Sequence, residues 1–349
     1  MRILFWVGYQ KQEFDSNTTS GLGGTELATI NIAENLSHFG CKVVVSGDVK
    51  NSGLINGIEW INRSELHNKY FNKFDVIVGV SYLNVVPEFK DYDAKKIYWA
   101  HNTEPFPWWN GETISDSDIK DYLSNDKGYL DDVICLTKWH ADQWSEDLYW
   151  QNPTILGNGI NTSTFTKTPL KVKDSFIWSS AIDRGLVDLL KNWPRIKENL
   201  PFATLNVYWP LYSNEYSQMN WIRSNEDRLK QLAVNFHGPV SQQELHIAMS
   251  RSEYWCYLTD YEETYCITAL EMQYSGIIPI VTPVAALSET VNSGIIIENN
   301  ETKWDNLIKI LNELNSNSKN KLKKQSIDWA KQQTWFLRSL EWINYLKTL

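Results

Sequence analysis

Glu263 and Glu271 stand with seven residues between them in the run Glu-Thr-Tyr-Cys-Ile-Thr-Ala-Leu-Glu, which continues Met-Gln-Tyr-Ser-Gly-Ile-Ile-Pro-Ile-Val. Ala269, Leu270 and Met272 favour a helix, and Gly276 marks its stop. Ile277, Ile278, Ile280 and Val281 then read as a short buried parallel strand. The mouth of a helix in an α/β domain presents free backbone N–H groups and the positive end of its dipole, which together favour phosphate. On a continuous helix the two carboxylates lie roughly 12 Å apart along the axis. That spacing suits a long polyhydroxylated ligand carrying phosphates, one carboxylate taking a sugar's hydroxyls and the other those of a ribose. A solvated helix with two surface carboxylates fits the same pattern.

Three other places hold chemistry-bearing residues. Arg184 precedes Gly185 at the mouth of a helix carrying Leu186, Leu189 and Leu190. A guanidinium there can pair two diphosphate oxygens at once and take up charge on a leaving nucleotide, or it can be an ordinary surface charge. His101 follows an apolar strand, and a histidine at a strand's carboxyl end points into the ligand crevice of an open α/β sheet. A core histidine satisfied by backbone is the alternative. Trp108 and Trp109 lie on a loop stiffened by Pro105 and Pro107, where aromatic faces suit the apolar side of sugar rings; with 17 Trp in the chain, packing is the competing fate. Gly21, Gly23 and Gly24 invite a dinucleotide reading, but Glu26 holds the third glycine's place and the loop lies about a dozen residues beyond Val7, too far for that turn. Backbone N–H groups at Gly23 and Gly24 can still approach a phosphate at the start of a helix, while Thr25 as a plain N-terminal cap is the alternative.

Alternating short apolar runs and amphipathic stretches signify βα units and parallel sheets. Ile3–Val7, Lys42–Ser46, Val76–Val80, Lys96–Trp99 and Val133–Leu136 read as strands, with a helix over Thr25–Phe39 stopped by Gly40. A second α/β pattern follows Asn152-Pro153: strands at Phe176–Ser179, Leu205–Tyr208, Tyr254–Leu258 and Ile277–Val281, and Val187–Leu190 on a helix. The Thr-, Ser- and Pro-rich break at 161–173 reads as the link between two domains. Trp329–Leu349 is helical and rich in aromatic residues.

These segments, in this order, resemble the retaining nucleotide-sugar glycosyltransferases of family 4, whose Glu-x7-Glu signature the Glu263–Glu271 run matches. Gly21-Leu22-Gly23-Gly24-Thr25-Glu26 is similar to the family's glycine-rich loop, Tyr98-Trp99-Ala100-His101 to its strand ending in histidine, and Leu136-Thr137-Lys138-Trp139-His140 to its Leu-Ser-x-Trp-His stretch. Gly157-Asn158-Gly159-Ile160-Asn161 with Phe165 resembles the interdomain motif. Ser179-Ser180-Ala181-Ile182-Asp183-Arg184-Gly185 resembles a subgroup's phosphate-binding segment, and Phe236-His237-Gly238-Pro239-Val240 the turn that meets the nucleobase.

The resemblance implies a GT-B fold: two Rossmann-like parallel-sheet domains facing a central cleft, an acceptor-binding domain over 1–165, a nucleotide-sugar domain over 166–330, and a helix over 331–349 returning to the first. It implies a metal-independent transfer of a hexose or similar sugar from a UDP- or GDP-linked donor to an acceptor hydroxyl, with retention of configuration. Glu263, His101 and Arg184 would sit at the reacting centre. Gly23, Gly24, Arg184, Val240, Glu263, Thr264, Tyr265, Cys266 and Glu271 would hold the donor, and Trp108 and Trp109 the acceptor. Two departures stand out. Arg184 takes the place of the family's lysine while its arginine place falls on Ser179, and Tyr265-Cys266 replace residues that are usually small. Ser179 motivates an alternative, a sugar-nucleotide or glycan-binding protein whose catalysis has decayed; a nucleotide-sugar epimerase of the same fold is a third reading.

Composition agrees. A chain of 349 residues with 42% apolar content can bury two ordinary domains. Cys41, Cys135, Cys256 and Cys266 show no metal or disulfide spacing and read as free thiols of a reducing compartment. No stretch approaches the roughly 20 apolar residues of a membrane helix, and the N-terminus reads as a strand rather than a leader, so a cytoplasmic location is expected. Residues 1–165 carry 13 Lys and Arg against 22 Asp and Glu, a net of −9, whereas 166–349 hold 20 of each. Such an acidic first half repels polyphosphates and anionic headgroups over a Debye length of roughly 8–10 Å. It disfavours nucleic acid and anionic membrane surfaces as partners and leaves a soluble glycan, glycoside or protein-linked acceptor. Asp91-Tyr92-Asp93 sits on a polar connection and makes a poor metal motif.

Overall fold

The computed structural model describes residues 1–7, 13–18, 22–105, 108–109, 112–147, 149–165, 170–209 and 218–349, with the backbone alone for 108–109, 112–113 and 125. The chain forms two compact units, Met1–Gly159 with Trp335–Leu349, and Ile160–Thr334.

Unit 1 is built on an eight-stranded sheet. Its strands are β1 (Arg2–Val7), β2 (Lys42–Gly47), β3 (Gly53–Ile55), β4 (Ile58–Asn62), β5 (Val76–Val80), β6 (Lys95–Trp99), and, beyond a short pair β7 (Trp108–Trp109) and β8 (Glu112–Thr113), β9 (Asp132–Cys135) and β10 (Thr154–Ile155). They lie in the order β10-β9-β6-β5-β1-β2-β4-β3, parallel except for the β3–β4 hairpin. The helices are α1 (Gly24–His38), α2 (Arg63–Tyr70), α3 (Val85–Glu88), α4 (Asp116–Tyr122) and α5 (Lys138–Glu146). Central strands β1 and β5 are buried along almost their whole length, which is why they read as unbroken apolar runs rather than alternating ones.

Unit 2 has a six-stranded parallel sheet, β13-β12-β11-β14-β15-β16. Its strands are β11 (Ser175–Trp178), β12 (Thr204–Val207), β13 (Val234–Phe236), β14 (Tyr254–Tyr257), β15 (Ile278–Val281) and β16 (Ile295–Ile296). The helices are α6 (Leu186–Asn199), α7 (Met219–Gln231), α8 (Gln242–Arg251), α9 (Ile267–Tyr274), α10 (Leu287–Thr290), α11 (Lys303–Glu313) and α12 (Ser316–Ala330). The last helix, α13 (Trp335–Leu346), belongs to unit 1 and packs along α1. Its Trp342 is fully buried, with ring centroids 5.9 Å from Phe5 and 4.8 Å from Trp99, and Tyr345 Oη donates to Asp132 Oδ2 at 2.8 Å.

The units divide after Gly159, earlier than residue 165, and again after Thr334 rather than 330. The expected link over 161–173 is anchored on unit 2 wherever it is described. Phe165 stacks on His246 at 3.9 Å, Val172 N–H donates to the Arg251 carbonyl, and Lys171 Nζ donates to the carbonyls of Ser275 (2.7 Å) and Met249 (3.2 Å). Burial of that ammonium lowers its pKa to about 7. All four cysteines are buried and free. Among the described residues no helix is long and apolar enough to cross a membrane.

Candidate functional site

In unit 2 the neighbouring strands β11 and β14 end side by side, and each runs into a loop followed by a helix. After β11 the chain passes Ser179 and Ser180, makes a 3-10 turn over Ile182–Arg184, and enters α6 through Gly185 at φ 109° and ψ 10°. An L side chain rarely adopts that conformation, so glycine is what allows the sharp entry. The turn leaves the Arg184 guanidinium 3.1 Å above the Tyr261 ring, with Nε 3.5 Å from Asp183 Oδ1. Arg184 Nη1 is buried and finds no hydrogen-bond partner among the described residues. A guanidinium is costly to bury with a donor unsatisfied, which fits a place where an anion docks. Beside it lies a concavity of about 490 Å³ lined by Asp183, Gly185, Thr259 and Tyr261 among others.

After β14 the loop carries Glu263 toward α9. Its backbone is fixed at both ends: Glu263 N–H donates to the Tyr261 carbonyl, and the Glu263 carbonyl accepts from Ala286 N–H, both at 3.1 Å. The carboxylate accepts from Tyr257 Oη at 2.6 Å. Burial raises the Glu263 pKa above the ordinary carboxylate value, while the Tyr257 hydrogen bond and the Arg184 charge pull it back. The helix begins only at Ile267, so Glu263 sits ahead of it and the 12 Å axial spacing of a continuous helix does not apply. Thr264, Tyr265 and Cys266 form the approach. Cys266 is the residue before the helix, left-handed at φ 67° and ψ 76°, and its burial, with Glu263 nearby, pushes the thiol well above its usual range. A cysteine in a conformation that favours glycine narrows this corner with a side chain the backbone does not need.

Glu271 lies on α9, with Oε1 3.4 Å from Nε2 of the fully buried His246, whose other face stacks on Phe165. Val240 precedes the Ser241–Glu244 capping box of α8 and lines a second concavity of about 410 Å³ with Asn206, Tyr208 and Arg251. At its rim His237 stacks on Tyr208 at 4.6 Å, and its Nε2 lies 3.0 Å from Asn206 Oδ1.

The remaining expected residues belong to unit 1. Gly23 caps α1 in an extended conformation, so Thr25 is inside the helix rather than its cap. A Cβ on Gly23 would meet the Glu26 carboxylate at 2.6 Å; the helix's own acid folds back over its positive end. Gly24 is the first helical residue, and Gly21 lies outside the described residues. His101 follows β6, its ring 4.5 Å from Trp99, and burial, with a smaller effect of His140, lowers its pKa to about 3. It is therefore a neutral ring at any physiological pH, able to hydrogen-bond but not to deliver a proton as an imidazolium. The side chains of Trp108 and Trp109 lie outside the described residues.

Four contacts around these residues are not visible in the sequence. Tyr257 sits in the apolar run Tyr-Trp-Cys-Tyr and reads as core. Tyr261 under Arg184 and His246 beside Glu271 are tertiary contacts that spacing does not announce. His140, matched only as part of a motif, accepts from Leu136 N–H at Nδ1 (3.2 Å), while its Nε2 lies 2.7 Å from the Asn102 carbonyl, which also accepts from Trp144 Nε1 (3.1 Å). Those bonds fix a neutral tautomer and tie down the chain immediately after His101.

Residues 178–333 match the family model described as glycosyl transferases group 1. No curated protein matches the chain in sequence. Among solved structures, a sucrose-phosphate synthase from Thermosynechococcus elongatus is similar with TM-score 0.75 and 14% identity over 100% of this chain and 99% of that one. HepE from Anabaena, solved in complex with UDP, gives 0.77 and 13% over 100% of both chains, and a glycosyltransferase from Rickettsia africae gives 0.76 and 16% over 99% and 98%. HepE has also been solved with UDP-glucose. At such identities the likeness establishes the fold: this chain has the two-domain GT-B architecture, and its second unit matches the group 1 glycosyltransferases.

Proposed function

We propose that the protein transfers a sugar, most simply a hexose, from a nucleoside-diphosphate donor to an acceptor hydroxyl with retention of configuration. The observation that carries this reading is that a half-buried carboxylate held by a phenol and a guanidinium with a buried unsatisfied donor stand at the carboxyl ends of the neighbouring strands β14 and β11. Arg184 would bind the diphosphate and take up charge as the nucleotide leaves. Glu263 would hold the donor sugar's hydroxyls, with the N–H groups at Thr264, Tyr265 and Cys266 facing sugar and phosphate, and Glu271 would hold the ribose. Val240 and the His237 turn would meet the base. His101 would bind the sugar as a neutral partner, Gly23 and Gly24 would approach the diphosphate, and Trp108 and Trp109 would serve the acceptor. The departing phosphate would accept the acceptor's proton, and the chemistry would run without a metal, in the cytoplasm. Since HepE binds UDP and UDP-glucose, UDP-hexoses are the first donors to try.

The test is nucleotide release from UDP- and GDP-sugars by wild type, Glu263→Ala and Arg184→Ala. A loss of at least 100-fold in both variants is expected; equal rates in all three would end the proposal. Ser179, where the resembling family carries arginine, favours one competing reading, a donor-binding protein without turnover. Calorimetric binding of a donor with no transfer to any acceptor would select it.

A further inference from the structure

We infer that Tyr257 is a positioning residue for Glu263: its phenol holds one carboxylate oxygen and so presents the other to the sugar. This inference rests on the reading of Glu263 as the sugar-hydroxyl ligand. Tyr257 ends β14, fully buried, and its ring packs against Trp255 (4.7 Å, 21°) and Trp178 (5.2 Å, 39°). A ring so confined cannot swing, and its hydroxyl therefore marks a fixed point at the end of the sheet. From that point Oη donates to Glu263 Oε1 at 2.6 Å, a length typical of a hydroxyl on an ionised carboxylate. The Ser180 side chain also acts on this phenol, lowering its pKa against the effect of burial. Ser180 lies on the segment that carries Arg184, next to the phosphate side of the site.

The arrangement acts in two ways. Glu263 has three side-chain torsions, and a carboxylate that must meet particular hydroxyls cannot be left to search among them. Its surroundings also oppose ionisation, and a phenol donor favours the ionised form. Phenylalanine at 257 would fill the ring's place against the two tryptophans while leaving Oε1 without its donor.

Tyr257→Phe is therefore expected to lower kcat about 10- to 100-fold with a change in donor KM below about threefold, and to move the acid limb of the kcat–pH profile upward by about one pH unit. In a Glu263→Gln background the same substitution should change kcat less than about twofold. Ser180→Ala, which leaves the aromatic packing intact, should shift the acid limb the same way with a loss of about two- to fivefold, and it becomes the deciding variant if Tyr257→Phe fails to fold. Wild-type kcat and an unmoved acid limb in the folded variant would overturn the inference, as would an undiminished loss in the Gln background, which would mean packing alone. Absence of both transfer and donor binding in the wild type would instead overturn the functional reading, and this one with it.

Discussion

Replacing Gly185 by alanine separates backbone strain from crowding at the entry to α6. A Cβ built there would lie 3.6 Å from Thr259 Cα and 3.7 Å from the Leu258 carbonyl oxygen, ordinary contact distances, so there is room for a methyl group. What the position does not accommodate is an L residue at φ 109°. Backbone in so sparsely populated a region costs about 1–3 kcal/mol, and alanine recovers at most about 1 kcal/mol by restricting the unfolded chain. The balance is a destabilisation of about 1–2 kcal/mol, which for a unit of this size lowers Tm by roughly 2–8 °C. Gly79 supplies the contrast: its φ is not positive, yet a Cβ would meet Val85 Cβ at 2.5 Å. There the cost is steric, and since Val85 Cβ is itself a clashing atom, Val85→Gly rather than Val85→Ala should offset part of the stability lost in Gly79→Ala. No side-chain trimming should rescue Gly185→Ala, because its nearest neighbours are backbone atoms. Thermal unfolding of the Gly79→Ala, Val85→Gly and Gly185→Ala single variants, of Gly79→Ala with Val85→Gly, and of Gly185→Ala with Thr259→Ala is the assay. A Gly185→Ala protein that melts like wild type, or one rescued by Thr259→Ala, would refute the strain account.

Three further outcomes are expected. Arg184→Lys keeps a charge but not the forked pair of donors, and should weaken UDP binding about 10- to 100-fold by calorimetry; unchanged affinity would remove Arg184 from the phosphate site. Burial holds His140 at a pKa of about 4, against about 6.5 when unfolded, with the Asn102 carbonyl drawing it back part of the way. The unfolded chain binds the proton first, so this stability is present above pH 6.5 and lost as pH falls toward 4, about 2 kcal/mol by pH 5; His140→Gln should flatten the dependence of Tm on pH between 7 and 5. Trp342→Ala empties a site bounded by Phe5 and Trp99 and should cost unit 1 about 3–5 kcal/mol in urea unfolding, a loss below about 1 kcal/mol contradicting its place in the core.

Strands buried on both faces are plain to read: Val76–Val80 and Tyr254–Tyr257 are continuous apolar runs because helices cover the sheet. The β3–β4 hairpin is not among the expected elements, although Asn56-Gly57, both with positive φ, is the turn such a pair favours. Its strands are short, and Leu54 is largely exposed, so periodicity says little. Glu263 and Arg184 can be picked out because a charge at a strand-to-helix junction is a local pattern. What holds Glu263 cannot, since an apolar strand does not disclose which tyrosine hydroxyl turns toward a carboxylate. The 161–173 break misleads for the same reason in reverse. Its Thr-, Ser- and Pro-rich composition describes a linker, whereas the anchors of Phe165 and Lys171 come from residues far along the chain.

Unit 1 is discontinuous: α13 follows the whole of unit 2, yet its Trp342 fills space between Phe5 and Trp99. During synthesis, a chain usually completes its domains from the amino end onward. Here the first sheet leaves the ribosome with an aromatic socket still open, and that socket stays wet until the entire second domain has been translated. The earlier-made half can therefore be completed only after the later-made one has been translated, and a translational pause between residues 160 and 334 would prolong the interval in which the unfilled socket is exposed.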